Sequence, residues 1–206
     1  MAENRSMPNA SLRALFMAIE EVMGANGAKA VLNLAGLQEY INNYPPNNTD
    51  RGVRFSDYGK AQQAVEDFYG GRGARAMLTQ IGRATFRYTL EEQPAILGLA
   101  GLAMRMLPKK TRINLILNRI VKAANNDVNL PSYLDEDEDA WYYVVEKCPC
   151  QFRERTERGP ACYTTVGTFQ EALKWVTGKH YRVQEVECLA QNGQTCKYRI
   201  DKHSQD

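Results

Sequence analysis

All five cysteines of the chain fall between residues 148 and 196. Thiolates bind soft and borderline metals well, and a carboxylate can add an oxygen ligand. The spacing that suits such a site is Glu185-x-x-Cys188, then Cys196 across a turn, with Cys162 upstream. The opening run, Met1 to Ser11, is polar and lacks the apolar stretch of a secretory signal, so a cytoplasmic location is expected. Thiols stay reduced there, and clustered cysteines point to metal more than to disulfides. The competing reading makes Cys188 and Cys196 small buried hydrophobes or a cross-strand pair. Cys148-Pro149-Cys150 offers a further thiol pair, either a ligand in place of Cys162 or a structural strand end.

These residues need a hairpin to hold them. Tyr181 to Cys188 and Thr195 to Ile200 read as strands, joined by a loop containing Asn192-Gly193. Glu185 and Cys188 are three residues apart, so a regular strand would point them to opposite faces. Sharing one ion requires a bulge or twist near Val186. Cys162 must be returned to the hairpin by a helix over 168–178. Thr168 and Glu171 have capping-box spacing, and Gly178 ends the run. Trp141 to Lys147 reads as a strand of aromatic and β-branched residues, with Trp141, Tyr143 and Val145 on one face. Asp135 to Asp139 reads as a solvated loop.

Upstream the pattern is helical. Leu12, Leu15, Phe16, Ile19, Val22 and Met23 recur at helical spacing, and a second short helix is expected over Lys29 to Gln38. Asn43 to Arg51 has the chemistry of a loop. Ser56 can cap a helix that Gly70 and Gly71 end, and Ala74, Met77, Leu78 and Ile81 begin the next stripe. Ile113, Ile116, Leu117, Ile120 and Ala124 mark another amphipathic helix. Helices followed by strand, helix and hairpin predict a single α+β domain over 1–206. Its helical part, 1–130, packs on a small antiparallel sheet within 131–206. Pro94 to Leu107 is the longest apolar-rich stretch, but Arg105 interrupts it and it is too short to span a membrane. A net charge of +2 gives no strong field toward nucleic acid or a membrane surface.

The run Cys148-Pro149-Cys150, then Cys162, Glu185-Val186-Glu187-Cys188 and Gln191 to Ile200 resembles the 4-vinyl-reductase, or hydrocarbon-binding, domain family. Related modules are the sensor domains of phenol- and toluene-responsive activators. The resemblance covers about residues 140–201. It implies a zinc ion held by Cys162, Glu185, Cys188 and Cys196, with no coordination position left for water or substrate. It also implies a helical layer on an antiparallel sheet, a fold shared with NO-signalling and Golgi-transport proteins, and a homodimer. The expected role is binding an apolar or aromatic small molecule between helices and sheet. The phenol sensors' helical histidine has no counterpart, since the chain holds only His180 and His203.

Trp141, Tyr143, Phe86 and Tyr88 are candidate ligand contacts, each equally a core residue. Phe68, Met104 and Met106 share that ambiguity. Lys109, Lys110 and Arg112 can meet a ligand's acidic group or form a solvated helix end. His180 suits a helix C-terminus. The sequence has no dinucleotide, P-loop, serine-hydrolase or HExxH motif. A reductase would need a hydride source, and no nicotinamide or flavin signature is present. The expected function is therefore a small-molecule-binding domain. The alternatives are a vinyl reductase of bacteriochlorophyll precursors, or its accessory, and a dimeric interaction module, for which a filled core is expected.

Overall fold

The computed structural model describes residues 3–92, 107–154 and 161–205. Most of the apolar stretch Pro94 to Leu107, with Met104 and Met106, lies outside the described residues.

The chain begins with a two-residue strand, β1 (Ser6–Met7), paired antiparallel with β2 (Val53–Arg54). Between them runs α1 (Asn9–Leu34). Leu12, Leu15, Phe16 and Ile19 form its buried stripe. Gly24 breaks the helical path at φ +75°, a conformation that glycine takes without a Cβ penalty. Beyond this kink Ala28, Val31 and Leu32 are buried, so the short helix expected over 29–38 is the second limb of α1 and ends at Leu34. The loop at 43–51 is as expected.

Next, α2 (Phe55–Glu92) joins the two predicted helices across a kink at Gly70, φ +65°. Gly70 therefore bends the chain where an ending was expected. Ser56 lies within the first turn of α2. The N-terminal bond there is made by Asp57, whose carboxylate accepts from Arg54 N at 2.9 Å. Helix α3 (Lys109–Asn126) follows Pro108 and buries Ile113, Ile116 and Leu117.

The sheet comprises β3 (Ser132–Glu136), β4 (Ala140–Val145), β5 (Tyr181–Glu187) and β6 (Cys196–Ser204), in the antiparallel order β3-β4-β6-β5. Asp135 and Glu136 thus belong to an edge strand and not to a loop. Their polarity suits an edge exposed to water. Before β5 comes α4 (Tyr163–Thr177), five residues earlier than the capping-box reading placed it. The Thr168 hydroxyl donates inside and across the helix pair, to Thr164 O at 2.9 Å and Gly82 O at 3.1 Å. Gly178 ends α4 in the left-handed region at φ +74°.

One apolar core lies among α1, α2 and the β1–β2 pair, with Leu12, Phe16, Val65 and Ile81 at its centre. The other lies between the sheet, α3 and α4, with Tyr143, Phe169, Tyr198 and all five cysteines. The fold is α+β, helices against a small antiparallel sheet, as the sequence pattern predicts.

Candidate functional site

The cysteines meet because strand ends and the start of α4 converge. Cys148 follows β4, Cys150 sits in the tight turn Pro149–Phe152, and Cys162 precedes α4. Cys188 follows β5, and Cys196 begins β6. The β4–β6 register sets Val145 opposite Cys196, which brings the Cys148 segment to the hairpin. All five thiols are buried and unbridged. The Sγ of Cys148 lies 3.7 Å from that of Cys162, and the Sγ of Cys150 lies 3.4 Å from that of Cys196. Cys162 and Cys196 are 4.0 Å apart at sulfur.

Between Glu185 and Glu187 the β5–β6 register shifts, and Val186 is turned out to 54% exposure. This is the irregularity that joint use of Glu185 and Cys188 requires. The carboxylate of Glu185 is buried beside Cys162 and Cys188. Its Oε2 accepts from Ala161 N at 2.7 Å and Cys162 N at 2.9 Å. Its Oε1 is buried with no hydrogen-bond partner. Burial, with the charges of Cys162 and Cys188, pushes the Glu185 carboxyl up to about 11. Hydrogen bonds from Cys148 and Cys162 hold the Cys150 thiol down to about 5. The ligand atoms of Cys162, Glu185, Cys188 and Cys196 all lie within 4.8 Å of one another.

A backbone turn supports the hairpin end of the cluster. Gln191 N and Gly193 N both donate to Cys188 O, at 2.9 and 3.0 Å. Asn192 takes φ +63° to make that possible. Leu189 N donates to the sulfur of Cys196 at 3.4 Å. On the other side, the guanidinium of Arg153 is buried against Glu66 of α2 and donates to Ala161 O at 2.5 Å. It fixes the segment that carries Cys162.

Against this cluster lies a cavity of about 210 Å³. Its helical walls include Ala10 and Ala14 of α1, Gln62 and Phe86 of α2, and Ala123 of α3. Tyr143 and Tyr198 of the sheet and Phe169 of α4 form another wall, and Cys148, Cys150 and Cys162 border both cavity and cluster. The Tyr143 ring sits 4.8 Å from Phe169 and 5.9 Å from Tyr198, centroid to centroid. Of the expected ligand contacts, Phe86, Tyr88 and Tyr143 line the cavity, whereas Trp141 is packed in the sheet core with Lys202 over its ring. Phe68 is exposed at the α2 kink.

The basic group at the start of α3 is used within the fold. Lys109 stands 5.4 Å over the Tyr181 ring, and Arg112 donates to Val176 O at 2.8 Å. His180 and His203 are exposed and do not border the cavity. Sequence reasoning set aside Cys148 and Cys150, and it missed Tyr58, Gln62 and Tyr198 as cavity residues. The Cys-Pro-Cys run at the end of a buried aromatic strand was the available signal for the thiols.

No helix among the described residues is long and apolar enough to cross a membrane. No protein-family model and no curated protein matches the chain. Solved structures do match its fold. An unliganded Fe(II) H-NOX protein variant from K. algicida has a TM-score of 0.59 at 12% identity, over 97% of this chain and 98% of the other. A single-site variant of the T. Tengcongensis H-NOX has a TM-score of 0.54 at 14% identity, over 97% and 100%. An oxygen-binding H-NOX domain related to soluble guanylate cyclases, solved as its oxygen complex, has a TM-score of 0.53 at 16% identity, over 96% of each chain. The fold expectation is met on its NO-signalling side. The resemblance to the 4-vinyl-reductase family is not upheld, because the structural likeness is to H-NOX domains and no family model supports the other assignment. Zinc as the cofactor falls with it. The neighbours are described by haem and iron, and none of those described here by zinc, so the approach of the cysteines is not evidence for that ion. The chain has the H-NOX fold.

Proposed function

We propose that this protein is a binding domain for a small apolar or aromatic molecule, held in the cavity between the helices and the sheet. The observation that carries this reading is the cavity itself, about 210 Å³ of space lined mostly by apolar side chains of the helices and the sheet. Apolar cavities of about 150 Å³ take up benzene-sized guests. Gln62, Thr85 and the Tyr58 side chain on its wall supply a few polar groups that would orient a guest.

Haem is what the structural neighbours are named for, and the described residues of this chain do not fit it. Haem iron takes an axial ligand from His, Cys, Met or Tyr. Both histidines are exposed and away from the cavity. The cavity's thiols are gathered in the cluster, Cys148 against Cys162 and Cys150 against Cys196, and about 210 Å³ is below the roughly 300–1,000 Å³ of drug-sized pockets, let alone a macrocycle. The same size argument tells against a tetrapyrrole substrate and hence against vinyl reduction. An interaction module calls for a filled core, and the cavity argues against that alternative too. A homodimer remains part of the proposal. Phe68 and Tyr69, exposed together at the α2 kink with rings 5.7 Å apart, offer apolar surface for it, and sedimentation at varied concentration tests it.

The binding reading is tested with single-ring aromatics of graded size, followed by thermal shift and calorimetry on the full chain. Saturable binding that raises the melting temperature and stops at two fused rings supports it. A melting temperature unmoved by every member of the series removes it.

A further inference from the structure

The thiol cluster contains two overlapping ligand sets. Cys148, Cys150, Cys162 and Cys196 bring four sulfurs within 4.8 Å of one another, and Cys162 and Cys196 also belong to the set with Glu185 and Cys188. Every member is buried. Sulfurs about 2.3 Å from one ion stand roughly 3.8 Å apart in a tetrahedral shell and roughly 4.0 Å in a trigonal one. The separations of 3.4, 3.7 and 4.0 Å within the all-sulfur set bracket those values. Buried groups that approach so closely are ordinarily hydrogen-bonded or bound to an ion.

Glu185 divides the two sets. Its Oε2 is committed to the backbone N–H groups of Ala161 and Cys162, so this residue's evident task is to hold the Cys162 segment. Its other oxygen is buried with no hydrogen-bond partner. Arg153, the buried cation nearest in the chain, is directed to Glu66, Gln62 and Ala161 O.

We propose that Cys148 and Cys150 are metal ligands and that the all-sulfur set, with Cys188 as the fifth thiol in reach, holds a soft ion of the cuprous class. The donors narrow the class. Thiolates without imidazole select soft ions, the cuprous ion among them, and a fully buried shell suits an ion that needs no open position. A cuprous ion is satisfied by few thiolates and tolerates shared ones, so sets that share Cys162 and Cys196 accommodate it without rearrangement. Binding replaces thiol protons by copper–sulfur bonds, releases those protons to solvent, and involves no change of oxidation state. The proposal is independent of what occupies the cavity.

The test is an anaerobic cuprous titration of the reduced full chain against a competing chelator, with X-ray absorption on the loaded protein. The expected result is retained copper in an all-sulfur shell. Cys148→Ser and Cys150→Ser should each weaken binding by at least about tenfold. No retained copper overturns the proposal, as do serine variants that bind like the parent or an oxygen in the shell. If a serine variant does not fold, alkylation mapping of the parent chain in mild urea replaces it. Copper must then shield Cys148 and Cys150, and labelling of both in the loaded protein overturns the assignment.

Discussion

Gly82 on α2 and Gly167 on α4 are reciprocal notches at one helix crossing. A Cβ on Gly82 would lie 2.0 Å from Thr164 O, and a Cβ on Gly167 would lie 2.0 Å from Thr79 O. Each helix therefore rests on the other's backbone, close enough for the Thr168 hydroxyl to bridge to Gly82 O. This approach fixes the start of α4, where Cys162 joins both the thiol cluster and the cavity wall.

Alanine at either position must push the helices apart. Overpacking of this kind costs about 1–3 kcal/mol, and a backbone obstacle that cannot rotate away places these sites at the upper end. Gly82→Ala and Gly167→Ala should each lower the unfolding free energy by that amount. The measurement is chemical denaturation with an unchanged slope. Gly24→Ala is a useful comparison, because a Cβ there meets nothing within 4 Å and its cost would come from φ +75° alone.

Arg153 and Glu66 form a buried ion pair, with side chains 0% and 11% exposed. Removing one partner of such a pair strands the other charge and costs about 3–5 kcal/mol. Glu66→Ala is expected to fall in that range. The double replacement Glu66→Leu with Arg153→Met should cost much less than the two single changes added together. A double-mutant cycle by denaturation checks this, and additive losses would show that the pair is not coupled.

These relationships also mark how much the sequence could reveal. Gly178 announced the end of α4 because only a left-handed residue suits that terminus, and the three-residue spacing of Glu185 and Cys188 implied the irregularity now found at Val186. Such signals are local. The start of α4 was misread because Thr168 has capping spacing, yet its hydroxyl serves a contact with α2 that no nearby residue encodes. The strand at 132–136 was misread because an exposed edge needs no apolar alternation, and its acidic end looks like a loop. Gly70 resembles a helix stop equally well whether the chain bends or ends. The ligand set of Cys162, Glu185, Cys188 and Cys196 was legible as a juxtaposition, but the entry of Cys148 and Cys150 depended on the β4–β6 register, a long-range property.

Glu187 gives a pH prediction for the hairpin that carries Cys188 and Cys196. One carboxylate oxygen accepts from Gln194 N and Thr195 N, each at 2.7 Å. These backbone bonds, Thr195 first, hold its carboxyl below the usual carboxylate range. A depressed folded-state pKa contributes stability above the unfolded-state value, and that stability is lost as pH falls through the folded value. Because the group is largely solvated, the effect should stay within about 1 kcal/mol. Glu187→Gln should therefore melt lower than the parent at neutral pH and converge with it in acid. Melting curves across pH check this, and a gap that persists below the carboxylate range would mean the loop is held by something else.

Ala14 on α1 separates a ligand cavity from a packing defect. It is 3% exposed and lines the cavity. Leucine there would place added methylenes into existing space rather than into packed neighbours. Burial of each added methylene is worth up to about 0.8 kcal/mol, partly offset by lost rotamer freedom. Ala14→Leu should keep or raise the melting temperature of the unliganded protein. It should also abolish the thermal shift produced by single-ring aromatics in the parent. Both readings come from one set of melting curves. A variant that is stable yet still binds would place the ligand elsewhere, and one that loses stability sharply would mean that this wall has no room to spare.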